Sequence, residues 1–198
     1  MHPRRSTQSP PGAPLGLEYL PDFITAEEET VLLTSLEQLD WDGRGLFKRR
    51  GRVVKRREID FIHDYGRHSR KVTEGPPLPS FLEPLRERCG EMLGLPPEAF
   101  QQVICSLYRP GAGIEWHIDA NVFGDFICGL SLASTCTMQF RPRGEGKIWK
   151  QQLEPRSLLV LSGPARFDWS HKISPAKEVR YSVTLRPLME SDLATGRP

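Results

Sequence analysis

Two kinds of hydrophobic spacing divide the chain. From Thr25 onward, Leu32, Leu36 and Leu39 recur at the helical interval, and Thr25 with Glu28 makes the pattern of a capping box. Glu27, Glu28 and Glu29 fall in the first turn of that helix, where the helix dipole favours negative charge, so they need no functional explanation. A second helix is predicted from Ser80, with Glu83 completing another box and Leu82, Leu85, Cys89 and Leu93 on one face. Pro84 falls in its first turn, where proline is tolerated. Beyond Gln101 the spacing shortens to β-type runs: "QVICSLY", "FICGLSLA", "CTMQFR", "SLLVLSG", "ARFDWSH" and "VRYSVTLR", with turn signals such as "RPGAG" and "RPRGEGK" between them. Many short strands joined by turns predict a mainly β fold of the jelly-roll kind, with flanking helices (α+β).

Length and composition narrow the picture. A chain of 198 residues makes one domain, and 38% hydrophobic residues leave no apolar run long enough to cross a bilayer. The first sixteen residues, "MHPRRSTQSPPGAPLG", have no apolar core of a secretion signal, and their prolines spoil a transit helix. The expectation is a disordered leader over 1–16, a single domain over 17–190 and a tail over 191–198. Cys89, Cys105, Cys128 and Cys136 show no CxxC pairing, which points to buried thiols in a reducing cytoplasm. The net charge of +2 averages over an uneven chain and says little.

The unevenness lies between the two helices. "GRGLFKRRGRVVKRREIDFIHDYGRHSRKV", residues 43–72, holds Arg44, Lys48, Arg49, Arg50, Arg52, Lys55, Arg56 and Arg57 together with the strand-like pieces "RVV" and "IDFI". It reads as a basic hairpin followed by a loop. Such density suits phosphate contacts, with Phe47, Phe61 and Tyr65 available to stack on bases; a solvated basic hairpin with core aromatics is the plainer alternative.

Candidate chemistry centres on "IEWHIDANVF". In a chain with five histidines, His117 and Asp119 stand one residue apart between apolar neighbours. On an extended strand they would share a face, either as a hydrogen-bonded core pair or as two ligands of a metal ion. In the β-rich half one further histidine remains, His171 in "FDWSHKI". Two histidines and a carboxylate with open positions make the facial triad of non-haem Fe(II) oxygenases, whereas structural zinc usually closes a fourth position; Glu115 is the one extra donor within reach. In "RYSVTLR", Arg180, Ser182, Thr184 and Arg186 share one face, and Tyr181, Val183 and Leu185 the other. Two arginines on a core-type strand call for anionic partners, unless the strand lies at an edge with a solvated polar face.

The ordered set "HID", distal histidine and "RYSVTLR" resembles HxD…H…RxxxxxR, the mark of the AlkB family of Fe(II)- and 2-oxoglutarate-dependent dioxygenases. The likeness extends to "CSLYRPG", "GLSLASTCTMQFR", "LEYLPDFITAEEE" and "DYGRHSRKV…PPLPSFL", and so covers most of the chain after the leader. It implies a double-stranded β-helix (jelly-roll) core with N-terminal helices. His117, Asp119 and His171 would hold Fe(II), Arg180 would pair with the distal carboxylate of 2-oxoglutarate, and Arg186 would support the carboxylates at the metal. Tyr108 and Ser182 stand at positions that contact 2-oxoglutarate, and Ser106 stands where the family often has asparagine. On the substrate side the resemblance places Trp116, Asn121 and the hairpin arginines Arg49, Arg50 and Arg52, the hairpin acting as a lid over the nucleotide. Asn121 occupies a position commonly acidic in members that act on methylated adenine or cytosine; an amide both donates and accepts, so base preference is expected to differ.

The activity implied is oxidative demethylation of N-alkylated bases in DNA or RNA. It would consume O2 and 2-oxoglutarate, release formaldehyde and reach the base by flipping or from a single strand. A monomer is expected. Two other readings stay open: the same chemistry on a modified tRNA base or protein side chain, and a non-catalytic β-barrel binding module.

Overall fold

The structure is a computed structural model that describes residues 12–42, 48–49, 52–53, 56–66, 69–144 and 146–189. Its first half contains β1 (Leu17–Leu20), α1 (Ala26–Glu37), β2 (Lys48–Arg49), β3 (Arg52–Val53), β4 (Arg56–Phe61), β5 (His63–Gly66), β6 (Lys71–Glu74) and α2 (Glu83–Leu93). The second half contains β7 (Gln102–Tyr108), β8 (Ile114–His117), β9 (Ile127–Leu132), β10 (Cys136–Pro142), β11 (Trp149–Leu153), β12 (Leu158–Leu161), α3 (Gly163–Phe167), β13 (Trp169–Ile173) and β14 (Arg180–Arg186). Strands β7 to β14 pair antiparallel as a nested set: β10 with β11, β9 with β12, β8 with β13, and β7 with β14. Folded over, they give a large sheet in the order β1-β12-β9-β14-β7-β4 and a small sheet in the order β11-β10-β13-β8. This is the expected jelly roll with N-terminal helices.

Period-two alternation sorts the large sheet into two faces. Cys128 and Leu130 on β9, Leu158 and Val160 on β12, and Val183 and Leu185 on β14 pack with Leu32 and Leu36 of α1 and Leu85 and Cys89 of α2. The intervening residues, among them Ile127, Leu159 and Leu161, join Met138, Phe140 and Ile173 of the small sheet in a second core. The face of β14 that carries Arg180, Ser182, Thr184 and Arg186 therefore looks into the barrel. Because β14 lies between β7 and β9, its arginines do not belong to a solvated edge.

The capping box at Thr25 forms as predicted, with Glu28 N–H donating to Thr25 Oγ1 and Thr25 N–H donating to the Glu28 carboxylate. The box at Ser80 does not. An α-turn from Ser80 would need the N–H of residue 84, and Pro84 has none, so Glu83 N–H closes a 3-10 turn onto Ser80 and α2 starts only at Glu83.

Three other expectations are corrected. "ARFDWSH" is the short helix α3 followed by β13, not one strand. The strand-like piece "IDFI" falls largely in β4, which pairs with β7 in the large sheet, and the segment after it is not a loop, since β5 with β6 makes another hairpin. At the turn between β4 and β5, Ile62 takes φ 68°, held by its N–H to the Pro76 carbonyl and by Gly75 N–H to its own carbonyl. Within the expected leader, residues 12–16 are tied to the fold, with Ser162 N–H on the Gly16 carbonyl and Ala165 N–H on the Leu15 carbonyl. Residues 1–11 and the expected tail over 191–198 lie outside the described residues. The four cysteines are buried free thiols, and burial pushes the Cys105 thiol up to about 12.

Candidate active site

The two histidines meet because β8 and β13 are neighbours in the small sheet, with His117 directly opposite His171. Gly113 lets the strands close up: a Cβ there would lie 2.6 Å from the Ile173 carbonyl oxygen. Asp119 arrives differently from the sequence expectation. Strand β8 ends at His117, so Asp119 lies in the loop beyond it, and no pleat sets its direction. That loop is held from below by Arg166 of α3, whose side chain is fully buried. Its Nη1 donates to the Asp119 carbonyl at 3.0 Å, and its Nη2 to the carbonyls of Ala120 at 2.8 Å and Phe123 at 3.3 Å.

So directed, the Asp119 carboxylate lies 3.4 Å from His171 Nε2 through Oδ2 and 3.1 Å from Arg186 Nη1 through Oδ1. The two imidazoles stand edge to face with centroids 4.3 Å apart, and one ligand atom from each of the three residues lies within 4.8 Å of the others. Around a single ion with metal–ligand bonds near 2.1 Å, ligands at right angles are about 3 Å apart, so little movement separates this arrangement from coordination. His117 Nδ1–H donates to the Glu115 carbonyl at 2.8 Å, which leaves Nε2 with its lone pair free for a metal.

Protonation favours the same role. Burial, followed by the neighbouring His171, lowers His117 to about 4, so its imidazole is neutral at pH 7. Burial on its own would raise Asp119, but the Arg186 guanidinium and the hydrogen bond from His171 outweigh it and hold the carboxyl well below the usual range. A neutral His117 imidazole, the His171 ring and one carboxylate are a donor set for a divalent ion.

From this end a cavity of about 90 Å³ runs between the sheets. Met138, Leu159 and Ile173 supply apolar wall, while Tyr108, Arg180, Ser182 and Thr184 supply polar wall. Arg180 is 3% exposed. Its Nη2 donates to Ser131 at 2.9 Å and its guanidinium lies 4.7 Å from the Tyr108 ring centre, but Nε and Nη1 have no hydrogen-bond partner. A buried guanidinium that lines a cavity and keeps two donors unpartnered is a seat for a carboxylate. Metal donors at one end and an anion seat in the wall fit Fe(II) with a short dicarboxylic 2-oxoacid.

Other sequence candidates divide. Ser106 shares the pocket-side face of β7 and stands opposite Ser182 but does not line the cavity. Asn121 is exposed on the Asp119 loop. Trp116 does not line the cavity; it packs between Arg141 at 4.5 Å and Lys172 at 5.2 Å. Arg56 and Arg57, counted with the phosphate-binding cluster, are buried in β4 and paired with Glu58 and Asp42. Arg49 and Arg52 are register partners in the backbone of the β2–β3 hairpin, and Arg50, Arg44, Phe47 and Lys55 lie outside the described residues. Pattern reading missed Ser131, which nothing in its spacing marks, and Arg166, whose helix is too short to show a period.

The chain is also similar to known proteins. A family model described as 2OG-Fe(II) oxygenase superfamily matches residues 16–192. The chain is 32% identical over 170 residues to the tRNA (carboxymethyluridine(34)-5-O)-methyltransferase alkbh8 of Xenopus tropicalis, a match covering 84% of this chain and 26% of that protein. It is 35% identical over 181 residues to the alkylated DNA repair protein ALKBH8 homolog of Arabidopsis thaliana, covering 80% and 50% respectively. This chain thus spans from a quarter to half of the length of these relatives. Among solved structures, OsALKBH1 superposes with a TM-score of 0.70 at 16% identity, over 91% of this chain and 99% of that one, which is a likeness of fold. The chain therefore belongs to the 2OG-Fe(II) oxygenase superfamily, with Fe(II), 2-oxoglutarate and O2 as the cofactor and cosubstrates that membership brings.

Proposed function

We propose that the protein is an oxidative dealkylase of N-alkylated bases in nucleic acid, contained in a single domain over 17–190. The observation that carries the chemistry is a cavity with His117, Asp119 and His171 at one end and the open guanidinium of Arg180 in its wall. In this reading the three residues hold Fe(II). Arg180 takes the distal carboxylate of 2-oxoglutarate, with Tyr108 and Ser182 beside it, and Arg186 keeps Asp119 ionised and aimed. The bound metal, with 2-oxoglutarate and O2, supplies the oxidising power to hydroxylate an N-methyl carbon; the hydroxymethyl group then leaves as formaldehyde, with succinate and carbon dioxide as coproducts. The apolar wall of Met138, Leu159 and Ile173 keeps bulk water from the reacting centre. Asn121, exposed on the loop that carries Asp119, offers an amide to the base edge, and the basic hairpin around 43–72 holds the backbone.

One observation favours a second reading. Relatives that match over four-fifths or more of this chain are named for tRNA carboxymethyluridine, so a modified tRNA base is the competing substrate. The deciding experiment is formaldehyde release and succinate formation with Fe(II), on alkylated DNA and RNA oligonucleotides beside tRNA and peptide pools. Formaldehyde from alkylated oligonucleotides is expected. Robust substrate-dependent succinate from tRNA or peptide, with none from any alkylated oligonucleotide, overturns the dealkylase reading; no substrate-dependent turnover anywhere leaves a binding module.

A further inference from the structure

Arg166 is no metal-ligand candidate and does not line the cavity, yet it is 0% exposed and, among the described residues, has no carboxylate within ion-pair distance. The acids that act on it, Asp119 and Asp125, do so only through space, and burial depresses its basicity. Burying a full positive charge without a contact partner is unfavourable, so the fold must use what the guanidinium does there. All three of its hydrogen bonds go to one turn, to the carbonyls of Asp119, Ala120 and Phe123, while Phe123 N–H closes that turn onto the Ala120 carbonyl. The same turn carries three functional elements. Its first residue is the carboxylate of the metal triad, Asn121 is exposed on it, and the Phe123 ring lies 4.4 Å beneath Arg186, the arginine paired with Asp119.

We infer that Arg166 is a positioning residue that pre-forms the Asp119–Phe123 turn, so that Asp119 faces His117 and His171 before any metal arrives and Asn121 is fixed on the same rigid piece. The inference rests on the metal assignment made above for those three residues. A planar fork with donors on two nitrogens spans three carbonyls of a turn; an ammonium, a point charge on a flexible stem, does not. Asp119 needs this because it stands past the end of β8, where no ladder bond holds its backbone.

The test compares the parent protein with Arg166→Lys and Arg166→Gln, using Co(II) and Mn(II) alone as probes. Both variants are expected to bind either ion 10- to 100-fold more weakly, the range seen when groups supporting metal ligands are lost. The visible d–d bands of bound Co(II) should change shape, and lysine should not rescue. Leu36→Ala, a distant core variant under α1, controls for general destabilisation and should keep the parent affinity and spectrum. Folded Arg166 variants with parent affinity and an unchanged Co(II) spectrum would overturn the inference. If neither variant folds, hydrogen exchange in the metal-free parent decides: Phe123 N–H should exchange no faster than core strand amides such as Val183. A turn that opens locally without metal and becomes protected only on adding Mn(II) refutes pre-formation. His171→Ala separates the two layers: if Co(II) still binds it with parent affinity, the metal assignment itself is wrong.

Discussion

Two buried arginines serve the same site, Arg180 in the cavity wall and Arg166 behind the turn that carries Asp119, and they differ in what they hold. Arg166 spends its donors on three backbone carbonyls and has only Nε left over; Arg180 has one partner, Ser131, and leaves both Nε and Nη1 open. Burial alone would class them together. The state of their donors separates them: satisfied by the protein's own backbone, a guanidinium is a brace; left open toward a cavity, it is a seat for an anion.

The widest consequence of that contrast is reached by removing what both arginines serve. His171→Ala should lose Fe(II) and reduce 2-oxoglutarate decarboxylation to background, measured as metal content and succinate release; a variant that keeps both would detach the arginines from any shared centre. Next comes exchanging each arginine for methionine. Arg180→Met should weaken 2-oxoglutarate binding by roughly 100-fold while leaving the ligand-free protein at parent stability or slightly above, because a buried charge with open donors has gone. Arg166→Met should do the opposite to stability, lowering it by about 2–4 kcal/mol as three carbonyls lose their donor. Calorimetry with and without 2-oxoglutarate reads both, and equal stability losses would erase the distinction.

Asn121→Asp probes the outer side of the turn that Arg166 braces. It should shift the relative rates on different alkylated bases several-fold, with uncoupled 2-oxoglutarate decay unchanged; unaltered ratios would remove Asn121 from base reading. Smallest is the effect of an arginine that is neither brace nor seat. Arg88 on α2 forks onto Glu28 of α1 in partial exposure, and its hydrogen bond lowers the Glu28 carboxyl. Glu28→Gln should cost under about 1 kcal/mol at pH 7. A carboxyl depressed on folding adds stability above its unfolded pKa of about 4.3, and that stability disappears as pH falls through the lower folded value, so parent and variant should converge on acidification. A difference that grows on acidification would mean the pair works against the fold.

Much of this was legible in the chain, for reasons that mark where legibility stops. The barrel-facing row on β14 could be read because alternation survives in a central strand, and the histidines because so few donors are available to choose from. Asp119 does come together with the two histidines, but the pleat argument that points to it does not apply, since β8 has ended before it. Its true support, Arg166, lies far along the chain in a five-residue helix. Ser162 and Pro164 do mark that helix's start, but a single turn leaves no apolar period to detect. The second cap failed on one missing N–H at Pro84, a detail of hydrogen-bond count that spacing does not carry. Arg56 and Arg57 look like surface cations until β4 is seen paired to β7.

The nested pairing of the eight barrel strands also sets a clock. Closing a chain costs entropy that rises with loop length, so β10 with β11 is the cheapest contact, then β9 with β12, and only afterwards β8 with β13 and β7 with β14. The histidines come together at the third step, and Arg180 comes opposite Tyr108 at the fourth. A chain zipping from its tip therefore carries no complete iron site through its early stages. With the proposed ligands, redox chemistry would wait until the barrel that contains it has nearly closed.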